Sequence, residues 1–254
     1  MNWKILSIAA IAIIAGSAWY IKNAEKLDPV ETAAQPPIRL AAQAGSIERA
    51  EPQPSPTGAE SLAVSAPSNL DGSDQSLKAA VSDFAPPLVQ WLIPGDQIRK
   101  WVMLIDQIAN GELPKDYLPL NYSMMPFKAT QDGEYWIVDP SNYARANTLI
   151  DIIAAIPPSR VAPYYRAWYP LLDKAYRELG RSDGFDKRLR TAIDRVLAVK
   201  SLSVPPKLIR PGVYYQYADP QYENASTVEK LMWRLGPDNT ERLQEFLRRL
   251  RLAL

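Results

Sequence analysis

The chain has 254 residues, a net charge of +1 and neither histidine nor cysteine. Without histidine, Ser-His-Asp and Cys-His nucleophilic machinery is excluded, together with the usual histidine-based zinc and iron sites. The near-neutral charge gives no indication of nucleic-acid binding, and no glycine-rich phosphate loop of the GxxxxGK[ST] or GxGxxG type is present. The acidic residues are scattered, so we expect no metal site and no cofactor.

Residues 5–21 form an uncharged run that is bracketed by Lys4 and Lys22. As a helix with a rise of about 1.5 Å per residue, this run would span roughly 25 Å, the low end for a membrane crossing. Trp3 lies at one edge and Trp19-Tyr20 at the other, where aromatic rings favour the membrane–water interface. The pattern predicts a transmembrane helix.

Two other interpretations of this segment stay open. The small residues at 16–18 have the form of a signal-peptide cleavage site, although the apolar run continues beyond them. A short apolar run that never enters a membrane is the third interpretation. We expect an uncleaved anchor over residues 1–26, because the apolar run continues through Trp19, Tyr20 and Ile21. An N-terminal apolar segment usually delivers the following domain across the membrane. The N-terminus would then be cytoplasmic and the body external.

The composition changes after the anchor. No aromatic residue occurs from Leu27 to Ser76, and the proline-rich stretches QPP (35–37) and EPQPSP (51–56) lie within this region. A segment rich in Pro, Ala, Gln and Ser buries too little apolar surface to offset the entropy of ordering the chain. We predict a disordered linker over residues 27–72, which would average roughly 35–40 Å from end to end as a flexible coil.

Residues 73–254 are predicted to form a single, mainly helical domain. Apolar residues recur there at helical spacing between capping, glycine and proline signals. Pro170 lies inside one of these helices and predicts a kink or break near residues 166–170. The predicted helices cover residues 73–84, 98–109, 140–156, 161–179, 189–197 and 228–235, with a last helix from 237 onward.

Extended segments are few. Phe127–Thr130 and Tyr135–Val138 flank Asp132-Gly133, which is typical of a β-hairpin, and apolar and polar residues alternate over 213–217. The expected fold class is therefore mostly α. It comprises an N-terminal transmembrane helix, a disordered linker, and a multi-helix globular domain with a small β-hairpin or short extended segments.

Polar residues near predicted helix starts and on helix faces are candidates for a binding site. Arg145, with an amide and a phenol just before it, has the groups that grip a carboxylate or phosphate. A structural role as a helix cap or an internal cross-link explains each candidate equally simply, and we prefer it. We identify no catalytic residue and no metal ligand. The binding candidates are Asn142, Tyr143, Arg145, Tyr176, Arg188, Asp194, Asp219 and Asn239.

Four tyrosines near the end of the domain have two interpretations. They would stack on sugar rings if they lined a site, or they would form the aromatic side of a half-buried strand, which is the commoner arrangement. They are Tyr214, Tyr215, Tyr217 and Tyr222.

Six short stretches in a fixed order carry a resemblance to a known family. They are DPSNYAR (139–145), YPLLDKAYRELG (169–180), GFDKRL (184–189), AIDRVL (192–197), YADP (217–220) and GPDN (236–239). With this order and spacing, the body resembles the bacterial family catalogued as domain of unknown function 3014. The resemblance implies a proteobacterial protein with one segment in the inner membrane and a periplasmic C-terminal domain. It implies no activity, and no catalytic residue is carried over.

Two functions are compatible with the sequence. We favour a non-enzymatic binding or scaffolding module that is tethered to the envelope and meets another envelope protein or a cell-wall component. The alternative is a carboxylate-dependent envelope hydrolase acting on a glycan, which needs two acids in one pocket. Burial of Asp139, Asp194 or Asp219 beside another acid would favour the hydrolase. Their placement beside arginine or at a helix N-terminus would favour the binding module.

A reporter fusion tests the predicted topology. Since the uncharged run 5–21 predicts an external body, alkaline phosphatase fused after Leu254 should be active, and a cytoplasmic reporter there should be silent. The reverse pattern would contradict the predicted orientation. A mature N-terminus at Trp19 would turn the anchor into a signal peptide.

Overall fold

A computed structural model describes residues 65–122 and 125–253. The predicted anchor, 1–26, and most of the predicted linker lie outside these residues. Within the described ranges, no helix has the length and apolar character needed to cross a membrane. Leu70 is buried and packs in the core, so contacts with the body begin slightly before Ser73, the predicted start of the domain.

The described chain is mostly helical, and a small antiparallel sheet lies at one side. The α-helices are α1 (Asp74–Phe84), α2 (Gln97–Ala109), α3 (Asn147–Ala155), α4 (Pro158–Glu178), α5 (Phe185–Leu197), α6 (Pro220–Glu223), α7 (Thr227–Leu235) and α8 (Pro237–Ala253). Two 3₁₀ helices, Pro86–Trp91 and Pro140–Ala146, and four strands, β1 (Ala129–Asp132), β2 (Tyr135–Val138), β3 (Leu208–Ile209) and β4 (Gln216–Tyr217), complete the order.

Most predicted helices are confirmed within a few residues, since periodic apolar residues and clear stop signals define them. The predicted helix over 140–156 instead divides into a 3₁₀ helix and α3. The Asp139 carboxylate caps this 3₁₀ helix by accepting a hydrogen bond of 2.8 Å from the backbone N–H of Ser141. This bond is the main reason why the pKa of Asp139 lies below its usual value.

Of the kink or break predicted near Pro170, the break is wrong, because α4 runs without interruption from Pro158 to Glu178. Pro170 cannot donate to the carbonyl of Arg166, but both residues are exposed and water can bond that carbonyl. On the opposite side, Trp168 and Leu172 are buried on either side of the proline in sequence. Packing of this buried face therefore outweighs the local cost of proline.

The strands form one antiparallel sheet in the order β1-β2-β3-β4. The predicted hairpin is confirmed, with Ala129 opposite Val138 and Asp132 opposite Tyr135. Trp136 then pairs with Leu208, and Leu208 pairs with Tyr217. The extended region predicted over 213–217 is a strand only at its end, in β4.

A buried ion pair joins α2 and α5, which pack against each other. Asp106 on α2 is 3% exposed, and its carboxylate accepts hydrogen bonds from Arg188 (2.6 Å) and Arg181 (3.1 Å). The same Arg188 also donates to the backbone oxygen of Asp106 (2.8 Å) and to the side chain of Asn110 (2.5 Å). Arg188 therefore fixes the last turn of α2 to α5.

Substitution of Asp106 by alanine should destabilise the fold strongly. It leaves two arginines facing a buried position without their carboxylate, and breaking a buried pair in this way costs about 3–5 kcal/mol. Urea unfolding, followed by the fluorescence of the buried tryptophans, measures the change. Asp194→Ala is the matched control, since its pair with Arg251 has both side chains about half exposed and such pairs contribute about 0–1 kcal/mol. Equal losses in the two variants would contradict the central role of Asp106.

Candidate functional site

A cavity of about 440 Å³ lies between the sheet, the 3₁₀ helix Pro140–Ala146 and α7. Its walls come from separate parts of the chain, including the loops that flank β3 and lead into β4. Most of its lining is apolar or aromatic, as in small-molecule sites, which range over roughly 300–1,000 Å³. The aliphatic lining residues include Leu113, Val138, Leu202, Leu208, Leu231 and Leu235, with Pro205 and Pro206 beside them.

Aromatic side chains form two groups along the cavity. In the first, the rings of Tyr217 and Trp233 have centroids 6.2 Å apart, and Tyr222 packs on both from behind. In the second, Tyr215 lies 5.5 Å from Phe127 and also packs edge-on against Trp136. Tyr214, Tyr215 and Tyr217 line the cavity, which is compatible with the sugar-stacking interpretation. The strand interpretation holds for Tyr217 alone, because Tyr214 and Tyr215 precede β4 and Tyr222 lies in α6.

Positive charge predominates at the cavity. Among the described residues that line it, Arg145, Arg210 and Arg234 are cationic and Glu223 is acidic. The Glu223 carboxylate accepts from the backbone N–H of Tyr217 (3.0 Å) and pairs with Lys230 (3.2 Å). Glu223 is therefore held by its neighbours and acts as a structural brace on this wall.

Asn142 anchors the 3₁₀ helix that carries three of the predicted site residues. Its side-chain amide donates to the backbone oxygens of Lys128 (2.6 Å) and Asp139 (2.7 Å) and accepts from the N–H of Lys128 (2.9 Å). The helix is thus fixed to the strand entering the hairpin. Asn142, Tyr143 and Arg145 all line the cavity, and Nε and Nη2 of Arg145 are buried from solvent.

Tyr143 lies against the start of α8. Asn239 is buried, and its amide donates to the backbone oxygen of Tyr143 (3.0 Å) and to the side chain of Asn147 (2.9 Å). Burial, and then the neighbouring Tyr217, raise the pKa of Tyr143 above its usual value. Burial also raises the pKa of Tyr217, while Arg234 lowers it in part. Both hydroxyls therefore remain protonated at neutral pH and are able to donate hydrogen bonds.

Tyr176 and Arg188 lie away from this cavity, in the buried cluster around Asp106. The Tyr176 hydroxyl donates to Asp183 (2.8 Å). Burial and this bond raise the pKa of Tyr176 to about 12, while the same bond lowers the pKa of Asp183. Arg188 is committed to Asp106. The contacts of both residues are those of internal cross-links.

The remaining two candidates occupy structural positions near the surface. The Asp219 carboxylate caps α6 by accepting from the N–H of Gln221 (2.8 Å), and Asp194 pairs with Arg251 (2.9 Å). Together with the cap formed by Asp139, these contacts explain all three acids that the hydrolase hypothesis singled out.

Sequence reasoning missed the contribution of Trp233, Arg210 and Arg234 to the cavity. Trp233 and Arg234 lie at the end of a regular helix, and Arg210 lies in a loop, so no local motif distinguishes them. The available signal was the concentration of prolines and tyrosines over 205–217, which marks an irregular aromatic segment.

Gly236→Ala should destabilise the wall of the cavity. Gly236 has φ +82° and ψ 166°, a region that other residues rarely adopt, and an added Cβ would lie 2.5 Å from Cγ of Tyr143. Gly184→Ala is the matched control, since Gly184 has φ +87° and ψ 134° and its nearest such contact is the Tyr169 hydroxyl at 4.0 Å.

Backbone strain alone should cost about 1–3 kcal/mol in each variant. Gly236→Ala should lose at least about 1 kcal/mol more in urea unfolding, because Tyr143 must also move. Equal losses of unfolding free energy in the two variants would contradict this prediction, because they would show that Tyr143 moves aside without destabilising the fold.

Across residues 65–122 and 125–253, no group of three or more acidic side chains is arranged to hold a metal ion. No curated protein and no solved structure matches the chain. A family model described as "Protein of unknown function (DUF3014)" matches residues 97–251, which contain α2 to α7, most of α8, the whole sheet and all the described residues that line the cavity. This match covers more than half of the sequence, and the chain therefore belongs to the DUF3014 family.

Proposed function

We propose that this protein is a tethered, non-enzymatic binding module of the bacterial envelope, and that its ligand occupies the cavity beside Tyr143 and Trp233. The uncharged run at 5–21 supports a tether in the inner membrane with the body in the periplasm. The proline-rich segment that follows supports a spacer between the membrane and the body. The partner would be a cell-wall component or another envelope protein.

The cavity is the observation that carries this proposal. It combines about 440 Å³ of volume with aromatic rings, arginines and protonated tyrosine hydroxyls. An apolar pocket with a few converging polar groups is the usual form of a binding site. Its inner wall is built from α7 and a braced 3₁₀ helix, so the site is formed before any ligand arrives.

The carboxylates support binding in preference to hydrolysis. Asp139 and Asp219 cap helices, and Asp194 pairs with an arginine. The acid that lines the cavity among the described residues, Glu223, has both oxygens engaged. A glycoside hydrolase needs two carboxyl groups on either side of the scissile bond, one of them protonated.

Photo-crosslinking in cells tests the proposal with the natural ligand, whatever its identity. Val213 lines the cavity and is 66% exposed, so p-benzoylphenylalanine introduced there in the full-length chain should capture an occupant. We expect an adduct of defined mass at this position after irradiation, measured by mass spectrometry of the purified protein.

Leu252 gives the matched control, because it is 81% exposed on α8 and lies outside the cavity lining. The same photoreactive residue there should give no such adduct. Identical products at both positions, or none at Val213, would overturn the proposal. The mass of the adduct would separate a small molecule or glycan from a protein partner.

A further inference from the structure

We infer that the ligand of this cavity carries an anionic group, a carboxylate or a phosphate, on an aromatic or sugar ring that stacks against aromatic side chains. This inference rests on the proposed binding function and specifies the chemistry of the ligand. It depends on three features of the cavity: its charge, the state of its tyrosine hydroxyls and its ring surfaces.

The charge of the lining is unbalanced. Three arginines against one glutamate leave two positive charges among the described lining residues, which are Arg145, Arg210, Arg234 and Glu223. Glu223 does not restore the balance, since its carboxylate is already paired with Lys230 at 3.2 Å. Arg210 and Arg234 are exposed at the cavity, so water and salt screen them in part, and they would attract an anion most strongly at low ionic strength.

Arg210 is held in a way that suits an anion. Its guanidinium lies over the rings of Tyr215 (5.4 Å to the centroid) and Trp136 (6.0 Å). Among the described residues, no carboxylate forms an ion pair with it. Stacking fixes the plane of a guanidinium while its in-plane N–H groups remain able to bind a carboxylate or phosphate as a fork.

Arg234 and the tyrosine hydroxyls provide further donors. Arg234, Tyr143 and Tyr217 line the cavity together. Arg234 is near enough to Tyr217 to lower the pKa of that hydroxyl in part, and Tyr217 helps to raise the pKa of Tyr143. Because burial keeps both phenols protonated at neutral pH, they would donate to an anionic acceptor without competing for its protons. A cation and two phenols in one region form a donor set for a single anionic group.

The rings account for the second part of the ligand. Trp233 is fixed by the hydrogen bond from its indole N–H to the backbone oxygen of Lys200 (3.1 Å). Tyr214 is 43% exposed at the cavity, so its ring is accessible to an entering molecule. Aromatic faces of this kind stack on planar rings and on the apolar faces of sugars.

Two pairs of soluble probes test the inference, and each pair differs mainly in the anionic group. 2-Naphthoate is compared with 2-naphthamide, and N-acetylmuramate with N-acetylglucosamine. Binding to the full-length chain in lipid nanodiscs is measured by ligand-observed NMR, with empty nanodiscs subtracted. We expect at least one anionic probe to bind about tenfold more tightly than its neutral partner, with the difference shrinking as salt is added. The pair that shows it identifies an aromatic acid or a sugar acid.

Variants assign the preference to the cavity. Arg210→Gln and Arg234→Gln remove exposed charges, so the fold should persist, and each should reduce the anionic preference about threefold or more. Arg242→Gln is the control, because Arg242 is an exposed arginine of α8 that pairs with Asp151 outside the cavity. Arg242→Gln should leave the affinity for the anionic probe and for the neutral probe of each pair unchanged.

The outcomes separate the inference from the proposed function. Equal binding of neutral and anionic probes, or a preference that Arg242→Gln reduces as much as Arg210→Gln, would overturn the anionic ligand and leave the binding function standing. No probe binding together with no photo-adduct at Val213 would overturn both. A photo-adduct whose mass and fragmentation show a neutral ligand would also overturn the inference.

Discussion

The buried carboxylate of Asp106 is the interaction on which the rest of the fold depends. It is 3% exposed and lies between Arg188 and Arg181, so it is stable in the interior only while α2 and α5 keep their relative position. Hydrophobic packing between two helices tolerates some sliding, but a buried charge with short hydrogen bonds does not, because a displaced carboxylate would lose its partners without regaining water. The pair therefore contributes specificity of register in addition to whatever net stability it provides.

The segment that follows α2 fixes the position of α7, which forms one wall of the cavity. The backbone oxygen of Gly111 accepts from the N–H of Val228 (3.2 Å), next to the N-terminus of α7. A capping box between Ser226 and Glu229 then sets the direction of α7. Since α7 carries Trp233 and Arg234 at its other end, the position of the cavity wall follows from the position of α2. The α7 wall of the proposed binding site thus rests on regular helices, which hold side chains more accurately than loops do.

The helices were predictable because their apolar residues recur at helical spacing and capping residues, glycines or prolines mark their ends. Asp139 and Asp219 each precede a proline and cap the helix that follows, and Gly236 marks the end of α7. A helix break at Pro170 is a wrong prediction, because the effect of a proline depends on which side of the helix faces solvent, and tertiary packing decides that. The pairing of Asp106 with Arg188 joins positions 82 residues apart, and the sequence contains no signal for it. The cavity was only partly predictable for the same reason. The residues around Arg145 form a local motif, whereas Arg210 and Trp233, which also line the cavity, come from distant segments.

The distribution of rigidity around the cavity bears on what the site can do. Its inner wall is fixed by the hydrogen bonds of Asn142 and Asn239, while its rim includes Val213 and Tyr214 in an exposed, irregular segment. Catalysis by carboxylates requires acids held rigidly on both sides of a bond. The acid among the described lining residues, Glu223, is instead committed to Lys230 and to the backbone of β4. Recognition requires less: a preformed floor that fixes one part of the ligand, and an adaptable rim that closes on the rest. Under the proposed binding function, the fixed inner wall would hold one part of the ligand, and the exposed residues of the rim would adjust to the rest.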